Sequence, residues 1–387
     1  MKTHREAVLL ATLVLLCHCG GEDAVPARAT RPGSTSTQVQ DRAPGPNDSA
    51  ARALAQARGL GRTLYATHCA LCHGDQGEGY RADHAPAIGN PEYLATVSPE
   101  FLFSSIADGR PGTPMSAWGA EHHGPLSREA IAAIIAFMRT WERLPRVTIP
   151  NSRVRTNAAR GATLYTTHCA SCHGPNGDGV NAMSLNHPVF HQTVNDAFLR
   201  YVVEHGRAGT RMPAFGTTLS GAELDDVVTF VRTLHREEPV ENLPLEPTPT
   251  LRRLTINPRG RPPNFTLREE RFVSARAVKE ALDANQRIIL LDARATPDWN
   301  RAHIAGAAPF PFYDADELAR VLPNDGTWIV AYCACPHAAS GHVVDMLRAH
   351  GFTHTAVLDE GVDFWHDQHY PMARGEAEAS PHGTQPH

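Results

Sequence analysis

Neither sign of charge dominates this sequence: 36 Lys and Arg face 41 Asp and Glu, a net charge of -5 over 387 residues. Without a basic surplus there is no electrostatic case for nucleic acid or an anionic membrane surface as a partner. Long apolar runs are missing too. The run Ala7–Leu16 is too short to cross a bilayer, and no later run reaches spanning length. Hydrophobic content of 42% and charged content of 20% are ordinary for globular protein, and the length suits two or three domains. Cysteine is scarce, eight residues in all, and its spacing is not that of a small disulfide scaffold. Cys17 and Cys19 lie near the N-terminus, Cys69/Cys72 and Cys169/Cys172 form two pairs 100 residues apart, and Cys333 and Cys335 stand near the C-terminus.

The N-terminus reads as an export signal. Lys2, His4 and Arg5 precede the apolar run, which ends at Cys17-His18-Cys19-Gly20-Gly21. A cysteine behind such a run resembles a bacterial lipoprotein signal, with Leu16 three residues before Cys19. His18 replaces the small residue usual just before that cysteine. The expectation is a signal over 1–19, a disordered polar linker over 20–51 and an exported, periplasmic product. Either Cys19 carries a lipid anchor or simple cleavage releases a soluble protein.

A repeat organises the central part of the chain. Gly61–Gly79 and Gly161–Gly179 share thirteen of nineteen positions without a gap, and Gly109–Met115 pairs with Gly206–Met212. Helices are expected around 52–66 and 157–167, ahead of each cysteine pair. Another amphipathic helix should close each copy. In the first, Ser127 caps Ile131, Ile134, Ile135, Met138 and Trp141. In the second, Ser220 and Glu223 form a capping box before Leu224, Val227, Val228, Val231 and Leu234. The Gly-, Pro- and Asn-rich middle of each copy reads as mostly loop.

Cys69-Ala70-Leu71-Cys72-His73 and Cys169-Ala170-Ser171-Cys172-His173 each fit the C-x-x-C-H pattern of covalent haem attachment. One turn of chain sets two thiols against the two vinyl groups of one porphyrin edge, and the histidine follows under the iron. A thioredoxin-like pair would want a βαβ context. One zinc between the pairs would leave both histidines without a role. On these motifs, residues 52–145 and 152–238 resemble tandem class I c-type cytochrome domains, a small all-α fold. The resemblance implies two covalently bound haem c groups, with Cys69, Cys72, Cys169 and Cys172 as attachment points and His73 and His173 as proximal ligands. It also implies a methionine on the opposite side, at Met115 and Met212. Ser116 stands where the family pattern expects the proline that Pro213 supplies in the second copy. Another histidine (His84 or His205) or water would be the alternative sixth ligand. Met138 reads as core, and Met183 has no counterpart in the first copy. Arg110 and Arg207 either meet haem propionates or are ordinary surface arginines.

From Pro239 to Pro263 seven prolines mark an extended linker, assigned to 239–265. Beyond it, strand-length runs at 288–291, 328–332 and 355–358 alternate with helical stretches near 275–285 and 339–349, the pattern of an α/β domain with a parallel sheet. Leu291-Asp292-Ala293-Arg294, Ala302–Ala307, Val330–Cys333 and Leu358–Trp365 make residues 266–375 resemble a rhodanese-like domain, followed by a disordered tail at 376–387. In active members a cysteine at Cys333's place holds a persulfide. The Gly and Arg that the family loop usually carries after it are absent here, and His337 is the nearest cationic stand-in. Cys333 is therefore the candidate catalytic residue. Its alternatives are a silent docking domain, or a disulfide or soft-metal site with Cys335 and His337.

The whole reads as a periplasmic dihaem c-type cytochrome that transfers electrons between partner proteins. Coupling to a small sulfur compound is expected at the third domain. A pure carrier and a dihaem peroxidase are the alternatives, and the paired methionines argue against the peroxidase.

Overall fold

The computed structural model describes residues 46–79, 85–110, 113–235, 242–250, 253–334 and 337–376. The expected signal with Cys17 and Cys19, His84, Cys335 and the tail from 377 lie outside these residues. None of the described helices is long and apolar enough to cross a membrane.

Each repeat folds as a helical bundle. The first contains α1 (Pro46–His68), α2 (Ala70–His73), α3 (Pro91–Thr96), α4 (Pro99–Ala107) and α5 (Arg128–Met138). The second repeats the series as α6 (Ala158–His168), α7 (Ala170–His173), α8 (Pro188–Thr193), α9 (Asp196–His205) and α10 (Gly221–Val231). The closing helices begin as expected. Ser127 Oγ accepts from the Ala130 amide, and Ser220 and Glu223 form the capping box. The apolar faces named from the sequence are buried, with Ile131, Ile134, Leu224, Val227 and Val228 at 0–1% exposure, except that Trp141 lies past the end of α5 and is only half-buried. α1 crosses α5 at Gly61 and α6 crosses α10 at Gly161. A Cβ at these glycines would stand 1.9 Å from the Ala133 carbonyl oxygen and 2.0 Å from that of Asp226. The crossing is closer than any side chain permits.

One expectation is corrected here. α1 starts at Pro46, inside the segment assigned to linker. The middle of each repeat is mostly loop, as expected, but it also holds two short helices that the sequence reading did not place, α3 and α4 in the first and α8 and α9 in the second. Pro91 and Pro99 sit in first turns, where proline gives up only an amide that has no intrahelical partner. Asn90, Ser98 and Asn195 cap α3, α4 and α9 with side-chain oxygens.

The C-terminal part runs β1 (Leu245–Glu246), β2 (Thr255–Ile256), β3 (Phe272–Val273), α11 (Ala275–Asp283), β4 (Ile288–Asp292), α12 (Thr296–Arg301), β5 (His303–Ile304) and β6 (Ala308–Pro309). It continues through α13 (Ala315–Ala319), β7 (Trp328–Tyr332), α14 (Ala338–Ala349), β8 (Thr355–Leu358), α15 (Gly361–Asp367) and β9 (Met372–Gly375). The main sheet has the order β2-β4-β7-β8-β3, with β6 also beside β4. All its pairs are parallel except β2 with β4, so the expected parallel sheet is mixed at one edge. β4 and β8 are buried along their whole length, because both sheet faces are covered. The Pro-rich segment is not a free linker. β1 pairs with β9 and β2 with β4, and the Glu246 carboxylate accepts from the Gly306 amide at 2.9 Å.

Candidate functional site

Each cysteine pair sits on one tight turn. The amides of Cys72 and His73 both donate to the Cys69 carbonyl, at 3.2 and 3.0 Å, and those of Cys172 and His173 to the Cys169 carbonyl at 3.1 and 3.0 Å. None of the four cysteines is in a disulfide. Burial pushes the Cys69 thiol up to about 12 and Cys169 up to about 11, each helped by its neighbouring cysteine. Tyr65 and Tyr165, both 1% exposed, donate at 2.8 Å to the carbonyls of Gly74 and Gly174 and so fasten the far end of each turn.

The histidines that end these turns are fixed through one nitrogen. His73 Nδ1 lies 3.0 Å from the Pro86 carbonyl oxygen, and His173 Nδ1 lies 2.9 Å from that of Met183. A carbonyl only accepts, so Nδ1 carries the proton and Nε2 is left with a lone pair. Burial holds both histidines below the ordinary imidazole value, which keeps that lone pair available. Met183 thus serves through its backbone.

The methionine loops are built alike, and by a threonine that the motif spacing does not single out. Thr113 Oγ1 donates to the Arg110 carbonyl at 2.7 Å and accepts from the Met115 amide at 3.2 Å. Thr210 Oγ1 does the same with Arg207 and Met212 at 2.8 and 3.1 Å. The Arg110 amide closes the loop onto the Met115 carbonyl at 2.7 Å, and the Arg207 amide onto that of Met212 at 2.9 Å. The shared Gly-Arg-x-Gly-Thr-x-Met string was the available signal. An aromatic residue three positions after each methionine, Trp118 or Phe215, packs at an angle against the histidine just before the first cysteine, His68 at 5.4 Å or His168 at 5.9 Å. Loop and attachment turn are thereby tied together in both repeats. Burial brings His68 down to about 4, so it is neutral at ordinary pH. His205 is turned back on its own helix, stacked 4.1 Å from Tyr201 with Nδ1 on the Tyr201 carbonyl. Met138 is core, at 2% exposure.

Arg110 and Arg207 are not ordinary surface residues, because the repeats exchange them. The Arg110 guanidinium lies 5.9 Å over the Phe190 ring of the second repeat, and that of Arg207 lies 4.7 Å over the Tyr93 ring of the first. Phe101 meets its counterpart Phe198 at 5.8 Å, and Asn90 Nδ2 donates to the Ala208 carbonyl at 2.8 Å. The two Met loops therefore face one interface with pseudo-twofold character. Arg110 Nη1 is buried there without a hydrogen-bond partner. Paired thiols, an oriented imidazole, a thioether loop and a buried guanidinium with one nitrogen free of hydrogen bonds together suit a covalently attached, anionic porphyrin.

In the third domain Cys333 follows β7 directly, at the C-terminal edge of the sheet, where α/β folds place their ligand sites. It is 2% exposed, and its Sγ is 3.2 Å from Ser340 Oγ in the first turn of α14. His337 adopts a left-handed conformation (φ 91°), with Nε2 3.0 Å from the Asp359 carbonyl and its ring 4.2 Å from that of Phe272. Arg294 is engaged with the fully buried Asp292 at 2.6 Å, so it is not a substitute for the missing loop arginine.

Residues 56–138 and 156–231 match the family described as cytochrome C oxidase, cbb3-type, subunit III, and residues 274–368 match the rhodanese-like domain. The chain is thus a tandem c-type cytochrome region joined to a C-terminal rhodanese-like domain, and its cytochrome region is of the kind that binds haem c covalently. It is similar to the cbb3-type cytochrome c oxidase subunit FixP of Bradyrhizobium sp. (strain ORS 278), 29% identical over 191 residues, or 47% of this chain and 62% of the relative. It is similar also to the subunit CcoP of Azospirillum sp. (strain B510), 27% identical over 192 residues, or 45% and 61%. The chain spans about three-fifths of the length of these relatives. Among solved structures, a rhodanese-like domain from Anabaena sp. is 25% identical, covering 30% of this chain and 86% of that one at a TM-score of 0.25.

Proposed function

We propose that the chain is an exported dihaem electron carrier with one haem c in each cytochrome domain. Cys69 and Cys72 supply the thioether links in the first domain, and Cys169 and Cys172 those in the second. His73 and His173 are the proximal ligands; Met115 and Met212 are the sixth ligands. The observation that carries this is the twofold recurrence of one constellation: attachment turn, carbonyl-anchored imidazole and threonine-braced Met loop. Bound haem supplies a one-electron ferric/ferrous couple. The chain's own residues do the rest. The Pro86 and Met183 carbonyls hold the imidazoles in one orientation. The thioethers are soft donors that favour the reduced state and raise the potential. The exchanged arginines bring positive charge to the interface between the two domains.

The relatives are named as subunits of cbb3-type oxidases. For this chain we infer transfer of electrons between a protein donor and a protein acceptor. Export to the periplasm follows from the N-terminal signal, with Cys19 available for a lipid anchor. We take the domains as 46–145, 152–238 and 242–375, the first starting with α1 and the last with the segment that carries β1. A second reading adds sulfur chemistry at Cys333. It is favoured by α14, the helix at that cysteine, which packs against α2 of the first attachment turn.

The test is stoichiometric. Pyridine haemochrome analysis of acid-acetone-extracted protein should give two haems per chain, and Cys69→Ala or Cys169→Ala should each lose about one equivalent. One haem per parent chain would defeat the proposal.

A further inference from the structure

The third domain does more than share a chain with the cytochromes. Ser116, which follows Met115 in the place of the expected proline, is 7% exposed. Its hydroxyl donates to the Asp298 carboxylate on α12 of the rhodanese-like domain. Asp298 is itself 8% exposed, and its second oxygen lies 3.7 Å from Arg301. Two residues along the Met loop, Trp118 meets Phe312 at 6.2 Å and Tyr313 at 5.6 Å, both from the same domain. Tyr313 also reaches the attachment side, edge-on to His68 at 4.9 Å. Asp298 on α12 and the turn at Phe312 and Tyr313 thus hold the first cytochrome domain on both sides of its Met loop. The second repeat has Pro213 at the matching position, with no hydroxyl to donate.

We propose that the rhodanese-like domain clamps the Met115 loop through the Ser116–Asp298 bond and the Trp118–Tyr313–His68 ring cluster. The clamp makes the two sixth-ligand sites unequal. It rests on the reading of Met115 as a sixth ligand. Ser116 and Asp298 are positioning residues: they act on the iron site only through the loop. A methionine can leave iron only if its loop moves outward. In the first domain that movement must break a buried hydrogen bond to a carboxylate and slide Trp118 off Tyr313. In the second it requires neither.

Cyanide is the probe, since it takes the sixth position of ferric haem only after the methionine has moved away. In the parent holoprotein its association should be biphasic, one phase per haem. Ser116→Ala should speed the slow phase about tenfold, equivalent to about 1.4 kcal/mol of loop opening, and leave the fast phase as it was. Ser116→Thr, which keeps a hydroxyl, should restore most of the slow phase. Asp298→Ala should resemble Ser116→Ala, and the double variant should be no faster than either. A slow phase unchanged in Ser116→Ala, or both phases accelerated alike, overturns the clamp. Backbone deuterium uptake over residues 113–119 separates this from failure of the ligand assignment. Uptake should rise in Ser116→Ala whatever binds the iron, and unchanged uptake also overturns the clamp. A parent without the near-infrared sulfur-to-iron band would instead refute methionine ligation.

Discussion

At the scale of single residues, the repeated pattern Gly-Arg-x-Gly-Thr-x-Met has a physical reading. The threonine hydroxyl stands between the arginine carbonyl and the methionine amide, so the methionine is presented by a braced loop in both repeats. If Met115 and Met212 ligate iron, the ferric protein should show the near-infrared sulfur-to-iron band. Met115→Ala or Met212→Ala should each remove roughly half of it and lower the potential of the affected haem. Spectroelectrochemical titration of each variant checks both effects. The cysteines and histidines stood out as candidates because C-x-x-C-H constrains chemistry at fixed spacing, and the methionines because duplication doubles the signal. Thr113, His68 and Trp118 were not. Their roles depend on which residues meet across a loop, and no sequence periodicity reports that. Ser116 was visible only as a departure from a pattern. Its partner lies 182 residues away.

At the scale of elements, the closing helices were legible from their caps and apolar faces, and β4, β7 and β8 from their apolar runs. The short helices α3, α4, α8 and α9 were missed because Pro and Asn serve equally as breakers and as helix starts, and only the following turn decides. The strands β1 and β2 were missed because two residues carry no period. The helix crossings depend on a single residue type. Gly61 and Gly161 stand at the same place in both repeats, each under a backbone carbonyl of the partner helix. Gly161→Ala should therefore force α6 and α10 apart, costing about 1–3 kcal/mol as overpacking does. Thermal unfolding of the holoprotein should show the lowered midpoint. By contrast Gly59→Ala, where an added Cβ meets nothing within 4 Å, should be neutral or slightly stabilising. Equal midpoints for the two variants would show that the Gly161 crossing is not tight.

At the scale of the whole molecule, the third domain has a second possible contribution besides its grip on the Met115 loop. Cys333 has a setting that suits a sulfur carrier: the end of β7, the first turn of α14, and Ser340 Oγ at 3.2 Å. A helix N-terminus stabilises a thiolate. Against it stand the missing loop arginine and the 2% exposure of the residue, which leave a large anion poorly received. The two considerations lead to different outcomes for a sulfane donor. If Cys333 is active, attack of its thiolate on the outer sulfur of thiosulfate breaks the S–S bond, releases sulfite and leaves a persulfide on the protein. The reduced protein, incubated with thiosulfate and digested, should then show a mass increase of one sulfur on the peptide containing Cys333. Cys333→Ser should abolish the gain, while Cys335→Ser should keep most of it, since only Cys333 directly ends the strand. Polysulfide, which needs less help from a guanidinium than thiosulfate does, should load the site faster. If neither donor adds sulfur, or if both substitutions leave the gain intact, the domain is a docking and clamping module, and the electrons carried by this chain originate elsewhere.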